Sequence, residues 1–102
     1  MIYKYMNRAG GLGSPTLVDA PGSGRAVEVH ELHFQSTSDN AIGMPSCGDG
    51  TTTVLGEWTL PARGVRDVVF KGGVKLGNNL PFTIPGPMAD WNVTMGYEEV
   101  DS

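Results

Sequence analysis

The sequence predicts an all-β fold, an antiparallel β-sandwich or barrel, and three observations carry that expectation. Short segments alternate apolar and polar residues, the period of a strand with one buried face. Turn chemistry separates these segments at about 8–12 residues, the spacing of sandwiches and barrels. Fifteen glycines and seven prolines supply the bends, and no segment holds a helical period. A chain of 102 residues is long enough for one domain, burying roughly two thirds of its unfolded surface. The expected division is an N-terminal strand and extended arm over 1–24, then a single β domain over 25–102.

"MIYKYM" alternates as a first strand, with Tyr3 and Tyr5 on one face and Ile2, Lys4 and Met6 on the other. The stretch from Asn7 to Gly24 is rich in glycine and carries Pro15 and Pro21. It reads as an extended arm with a brief strand at "TLVD", lying on the surface or against a neighbour, because burial would strand its backbone groups. "RAVEVHELHFQS" is a strong strand whose apolar set changes parity: Val27 and Val29, then Leu32 and Phe34. One extra residue at His30-Glu31, a β-bulge, returns both pairs to the same face. A helix is formally open here, since Ala26 to Ile42 holds no Gly or Pro, but the apolar spacing fits a slipped strand better.

"STSDN" ends that strand with turn residues, and Asp49-Gly50 offers a tight turn. "TTTVLGEWTLP" reads as one strand, with Val54, Trp58 and Leu60 on a shared face, a neighbouring ring over Gly56, and Pro61 closing it. "VRDVVF" and "GGVKL" read as two strands about a Gly72-Gly73 turn, with Val68 and Phe70 inward. Gly77-Asn78-Asn79 turns again before "LPFTI". "WNVTMGYEEV" is the clearest strand, with Trp91, Val93, Met95 and Tyr97 on one face and Asn92, Thr94, Gly96 and Glu98 on the other.

The formal net charge of −4 argues against nucleic acid or an anionic membrane as partner. Arg63, Arg66, Lys71 and Lys75 form a basic stretch; Asp90, Glu98, Glu99 and Asp101 form an acidic end. In an assembly of identical subunits one stretch can face the other, and the plain alternative is two solvated patches. Cys47 is the only cysteine, so no intrachain disulfide forms. Met1 to Arg8 has no signal-peptide apolar region, and no run suits a membrane span. A soluble protein made in a reducing cytoplasm is expected.

His30 and His33 flank Glu31 and Leu32 and invite a metal reading. Zinc needs three or four converging ligands, and on a regular strand these two histidines point to opposite faces. A bulge can bring them together, with Cys47 or Asp67 completing a set. The H-E-x-x-H motif needs helical spacing, which "HELH" lacks. A polar or intersubunit surface is the favoured reading, with no metal, cofactor or catalytic residue assigned. The glycine runs lack the phosphate-loop pattern, the acidic loops lack the calcium array, and no nucleophile–His–carboxylate spacing is present. Cys47 beside either histidine would be a thiol site, against the structural role usual for a lone cysteine. Trp58 and Trp91 sit on apolar strand faces and read as core.

The segment "VRDVVFKGGVKLGNNLPFTI…WNVTMGYEEV" resembles the ending of small structural proteins of tailed bacteriophages. Their final strand has the form aromatic-x-Val-Thr-x-x-Tyr-Glu, matched by Trp91, Val93, Thr94, Tyr97 and Glu98 after Gly72, Gly73 and Val74. The resemblance implies a jelly-roll-like, non-enzymatic virion protein. It implies a homotrimeric cement or decoration protein on the outer capsid surface, bridging major capsid protein subunits. On that reading Asn7, Arg8, Leu12 and Leu17 of the arm, with Arg63, Arg66, Lys71 and Lys75, are the expected partner contacts. A tail or head-fibre adhesion module binding host glycan is the alternative, favoured if Tyr3, Tyr5 or either Trp stands exposed. A small metal-dependent enzyme using His30 and His33 is a third reading.

Overall fold

A computed structural model describes residues 1–7, 16–85 and 89–102. Its strands are β1 (Ile2–Asn7), β2 (Thr16–Val18), β3 (Arg25–Ser36), β4 (Ile42–Met44), β5 (Cys47–Gly48), β6 (Thr53–Leu55), β7 (Trp58–Leu60), β8 (Val65–Lys75), β9 (Phe82–Thr83) and β10 (Trp91–Asp101). No helix occurs among the described residues. The long strands build one four-stranded sheet in the order β1-β10-β3-β8. A second sheet runs β2-β9-β5-β6, and β4 pairs with β7 alone. Every pairing is antiparallel. The fold is all-β, as expected, and the sheets do not close into a barrel.

One core joins the three sheets. Val27, Val29, Leu32 and Phe34 of β3 and Trp91, Val93, Met95 and Tyr97 of β10 meet Leu17, Val18, Ile42, Met44, Cys47, Leu60 and Phe82 from the others. Phe34 anchors it: Trp58 meets its ring edge-on at 5.0 Å, and Trp91 lies 6.3 Å away. Arg66 stacks 4.5 Å above the Trp58 ring, covering an indole the core leaves half-buried.

The parity change in β3 is a bulge. Tyr97 faces Val29 and Gly96 faces Glu31, so His30 is the extra residue against β10. Its other neighbour breaks at the same level, with Val74 opposite Val29 and Val69 opposite Glu31. Gly72 and Gly73 are therefore not a turn between two strands. They lie inside the continuous β8, with φ of 81° and 78°, where the left-handed backbone lets the edge swell outward without a Cβ penalty. A Cβ on Gly73 would fall 2.9 Å from His30 Cε1, so this glycine also makes room for the bulged histidine.

Two further expectations are corrected. "TTTVLGEWTLP" is two strands, since β6 joins the second sheet while β7 pairs with β4, and Gly56-Glu57 is the break. A Cβ on Gly56 would meet nothing within 4 Å, whereas one on Gly96 would lie 2.9 Å from Met1 Sδ and from Tyr3 Cε1. Other turns stand as expected. Asp49 Oδ1 accepts from Thr51 N at 2.7 Å, and its Oδ2 accepts from Gly77 N at 2.7 Å. Partial burial pushes the Asp49 carboxyl up, but the backbone bonds from Thr52, Gly77 and Thr51 together outweigh it and hold the group below its ordinary value.

Candidate functional site

The outer face of the four-stranded sheet, away from the core, gathers both histidines with Glu28, Glu31, Asp67 and Glu98. Strand register sets the rows. Tyr5, Thr94, His33 and Asp67 lie across one, and Tyr3, Gly96, Glu31 and Val69 across the next. Beyond the bulge, Glu98, Glu28 and Lys75 share a third. Because β3 is an inner strand, its polar residues meet partners from both sides.

A hydrogen-bonded chain crosses the first two rows. Tyr3 Oη donates to Glu31 Oε2 at 3.0 Å. Glu31 Oε1 lies 2.9 Å from His33 Nε2, and His33 Nδ1 lies 2.8 Å from Asp67 Oδ1. A neutral imidazole donates from one nitrogen only, whereas the imidazolium donates from both. The bonds to Asp67 and then Glu31 accordingly raise the His33 pKa above its ordinary value, against a smaller opposing effect of burial. The same contacts, His33 first and Tyr3 second, lower that of Glu31. The bond to Glu31 raises that of Tyr3.

The bulge turns His30 toward this face as well, but not toward His33. His30 Nε2 lies 2.8 Å from Glu28 Oε1 and 3.7 Å from Glu98 Oε2. Glu28, His30 and Glu98 are the set of donor atoms close enough to share a cation among the described residues. The pairing of His30 with His33 that a bulge could allow does not form, since both His33 nitrogens are engaged by carboxylates. Cys47 cannot complete either set: it is buried in β5 of the second sheet. Burial pushes its thiol up to about 11, so it is not a nucleophile at neutral pH. A cavity of about 200 Å³ beside it is lined by Ser46, Thr52, Thr53 and Thr83, smaller than the ~300–1,000 Å³ of typical ligand sites.

The large exposed apolar side chains among the described residues are Met1, Ile2, Tyr3, Tyr5, Val65 and Val69. All of them lie on β1, just before it, or on β8, the two outermost strands of one sheet. Tyr5 is 61% exposed and Val69 71%, values that separate them from an ordinary half-buried edge.

The expected contact residues divide accordingly. Arg8 and Leu12 lie outside the described residues. Leu17 is a correction: it belongs to β2 and is buried in the core, so it presents no side chain to a partner. Asn7 ends β1 opposite Asn92. Arg63 is held by Asp39 Oδ1 through Nε at 2.9 Å and a terminal nitrogen at 2.7 Å, and Arg66 by Trp58. Lys71 and Lys75 stand on the β8 edge, with no ion pair among the described residues. Both β1 and β2 precede the boundary expected after Gly24, and both pair with strands beyond it.

Sequence reasoning missed the link from Tyr3 to Glu31 and the approach of Glu28 and Glu98 to His30. Gly96, a lone glycine in an alternating strand, was the available signal for the first. No protein-family model matches the chain, and no curated protein matches it in sequence.

Proposed function

We propose that this chain is a non-enzymatic viral structural protein, a cement or decoration protein that binds the outer surface of a tailed-bacteriophage capsid. The reading takes the facing sheets as a jelly-roll-like sandwich and the working form as a homotrimer on the virion, bound to the major capsid protein. One observation carries it: among the described residues the large exposed apolar side chains lie at the two outermost strands, β1 and β8, of a single sheet. Edges with unpaired backbone groups and apolar side chains are templates for another chain, whereas a catalytic site concentrates convergent groups in a cleft. The sequence resemblance of the C-terminal half supplies the class of partner. Repetition over a capsid lattice turns a modest contact into tight attachment.

The test is to add purified protein to capsid shells lacking it and to sediment them. Saturable binding with a raised shell disruption temperature is expected. Shells that stay bare at saturating protein would remove the reading.

A second reading has an observation of its own. Tyr3 and Tyr5 stand exposed on the outer face beside Glu31 and Thr94, and aromatic faces next to polar acceptors suit sugar rings. On this reading the chain is a fibre or adhesion module for host glycan. Titrating host-surface polysaccharide while following the two tyrosine ring signals by NMR separates it: shifts at both rings support adhesion, and unmoved rings exclude it.

A further inference from the structure

The two outermost strands of the main sheet, β1 and β8, are complementary to each other. Strand directions alternate across β1, β10, β3 and β8, so β1 of a second copy in the same orientation meets β8 antiparallel. Lengths match as well. β1 has 6 residues, and the regular part of β8 runs Val65–Phe70 before the Gly72-Gly73 bulge interrupts it.

We propose that copies of this chain join head to tail, β1 of one pairing with Val65–Phe70 of the next. This deepens the assembly role proposed above by naming the surfaces that meet, and rests on that role only for the number of copies. Opposing Ile2 to Phe70 sets Tyr3 against Val69 and Tyr5 against Asp67 on the outer face. On the inner face Lys4 meets Val68. Aromatic and β-branched residues facing each other across strands are a favourable pair, roughly 0.2–1 kcal/mol each. Register shifted by two toward Gly64 would instead put Lys4 opposite Arg66, so like charge disfavours it.

Charge continues the match past the strands. β10 extends beyond the start of β1, since Tyr97 already pairs with Ile2, and Glu98, the next residue, stands exposed on the outer face opposite Glu28. At that level the β8 edge carries Lys71 and Lys75, and within one copy Glu98 and Lys75 end the same row. The next copy therefore brings its lysines to Glu98 across about two strand spacings, ~10 Å, a gap the side chains span together. In one register Tyr3 meets Val69 and base approaches acid.

The contact is heterologous, so each copy keeps one free edge of each kind until a ring closes. A six-residue ladder is small beside the ~1,200–2,000 Å² of stable interfaces, and closure gives every copy two contacts. The bulge and lysines stop the ladder at Phe70, which limits its length.

Two single-cysteine additions test the pairing, Tyr3→Cys and Val69→Cys, with Cys47 buried and silent. Mixed under mild oxidation, they should give a disulfide-linked pair that neither variant gives alone. The chain carrying both should close into covalent rings whose mass counts the copies. No cross-link in the mixture, or efficient cross-linking of Tyr3→Cys alone, would overturn the inference. Val69→Lys changes an exposed site, so it should fold normally and drop the mass by light scattering to that of one chain; unchanged mass also overturns it. Capsid binding is scored separately. Cross-linked copies that ignore capsids would sink the capsid reading alone, and capsid binding without cross-linking would sink this one alone.

Discussion

His33 Nδ1 lies 2.8 Å from Asp67 Oδ1, a bond that ties the inner strand β3 to the edge strand β8. With Glu31 on the other ring nitrogen, it makes the imidazolium the form this surface favours. The structure thus sets a pH dependence as well as a geometry.

Because the folded His33 pKa is raised above 6.5, its contribution is fully present below about pH 6.5 and is lost as pH rises through the folded value. Glu31 is lowered from 4.5, so its contribution is present above about pH 4.5 and is lost as pH falls. Stability from this chain of bonds should therefore be greatest between those limits. The His33 part should be below about 1 kcal/mol, since the ring is a third exposed. Urea unfolding carried from that range to higher pH should show the decline above about pH 6.5, and His33→Asn should flatten it.

Phe34 is nearly fully buried and touches both tryptophans. Phe34→Ala should cost about 3–5 kcal/mol, the range for emptying an aromatic core site. Tryptophan fluorescence should move to the red as water reaches Trp58. A loss under about 1 kcal/mol in denaturant titration would mean that the site collapses fully.

Gly48 admits no side chain: a Cβ there would overlap the Thr52 backbone carbonyl oxygen. Gly48→Ala should cost about 3 kcal/mol or more, because backbone rather than a flexible tip must move. Gly43→Ala, with open space around it, is the matched control and should shift the midpoint little.

Cys47 is buried, with its thiol pushed up to about 11. Iodoacetamide at neutral pH should leave the native protein unlabelled and label it rapidly in urea. Fast native labelling would show that β5 opens readily.

Period-two alternation made β10 and the core face of β3 legible, and the parity change at His30 located the bulge because one slipped residue flips a whole strand. The Gly72-Gly73 pair misled because the same positive φ serves a hairpin turn or a bulge, and only the neighbouring strand decides. Trp58 and Leu60 looked continuous with Val54 because a break at Gly56 leaves parity intact. Tyr3 over Gly96, and the edge positions of β1 and β8, depend on strand order, which no local pattern encodes. Hence the titratable residues could be named, while their grouping into two carboxylate-bound histidines could not.

The most direct measurement is amide hydrogen exchange of β1 and β8 at high and low protein concentration. Edges that meet between copies should slow alternate amides within Ile2–Asn7 and Val65–Phe70 as concentration rises, with β3 and β10 unchanged. Rapid exchange at both edges, identical at every concentration, would contradict the account.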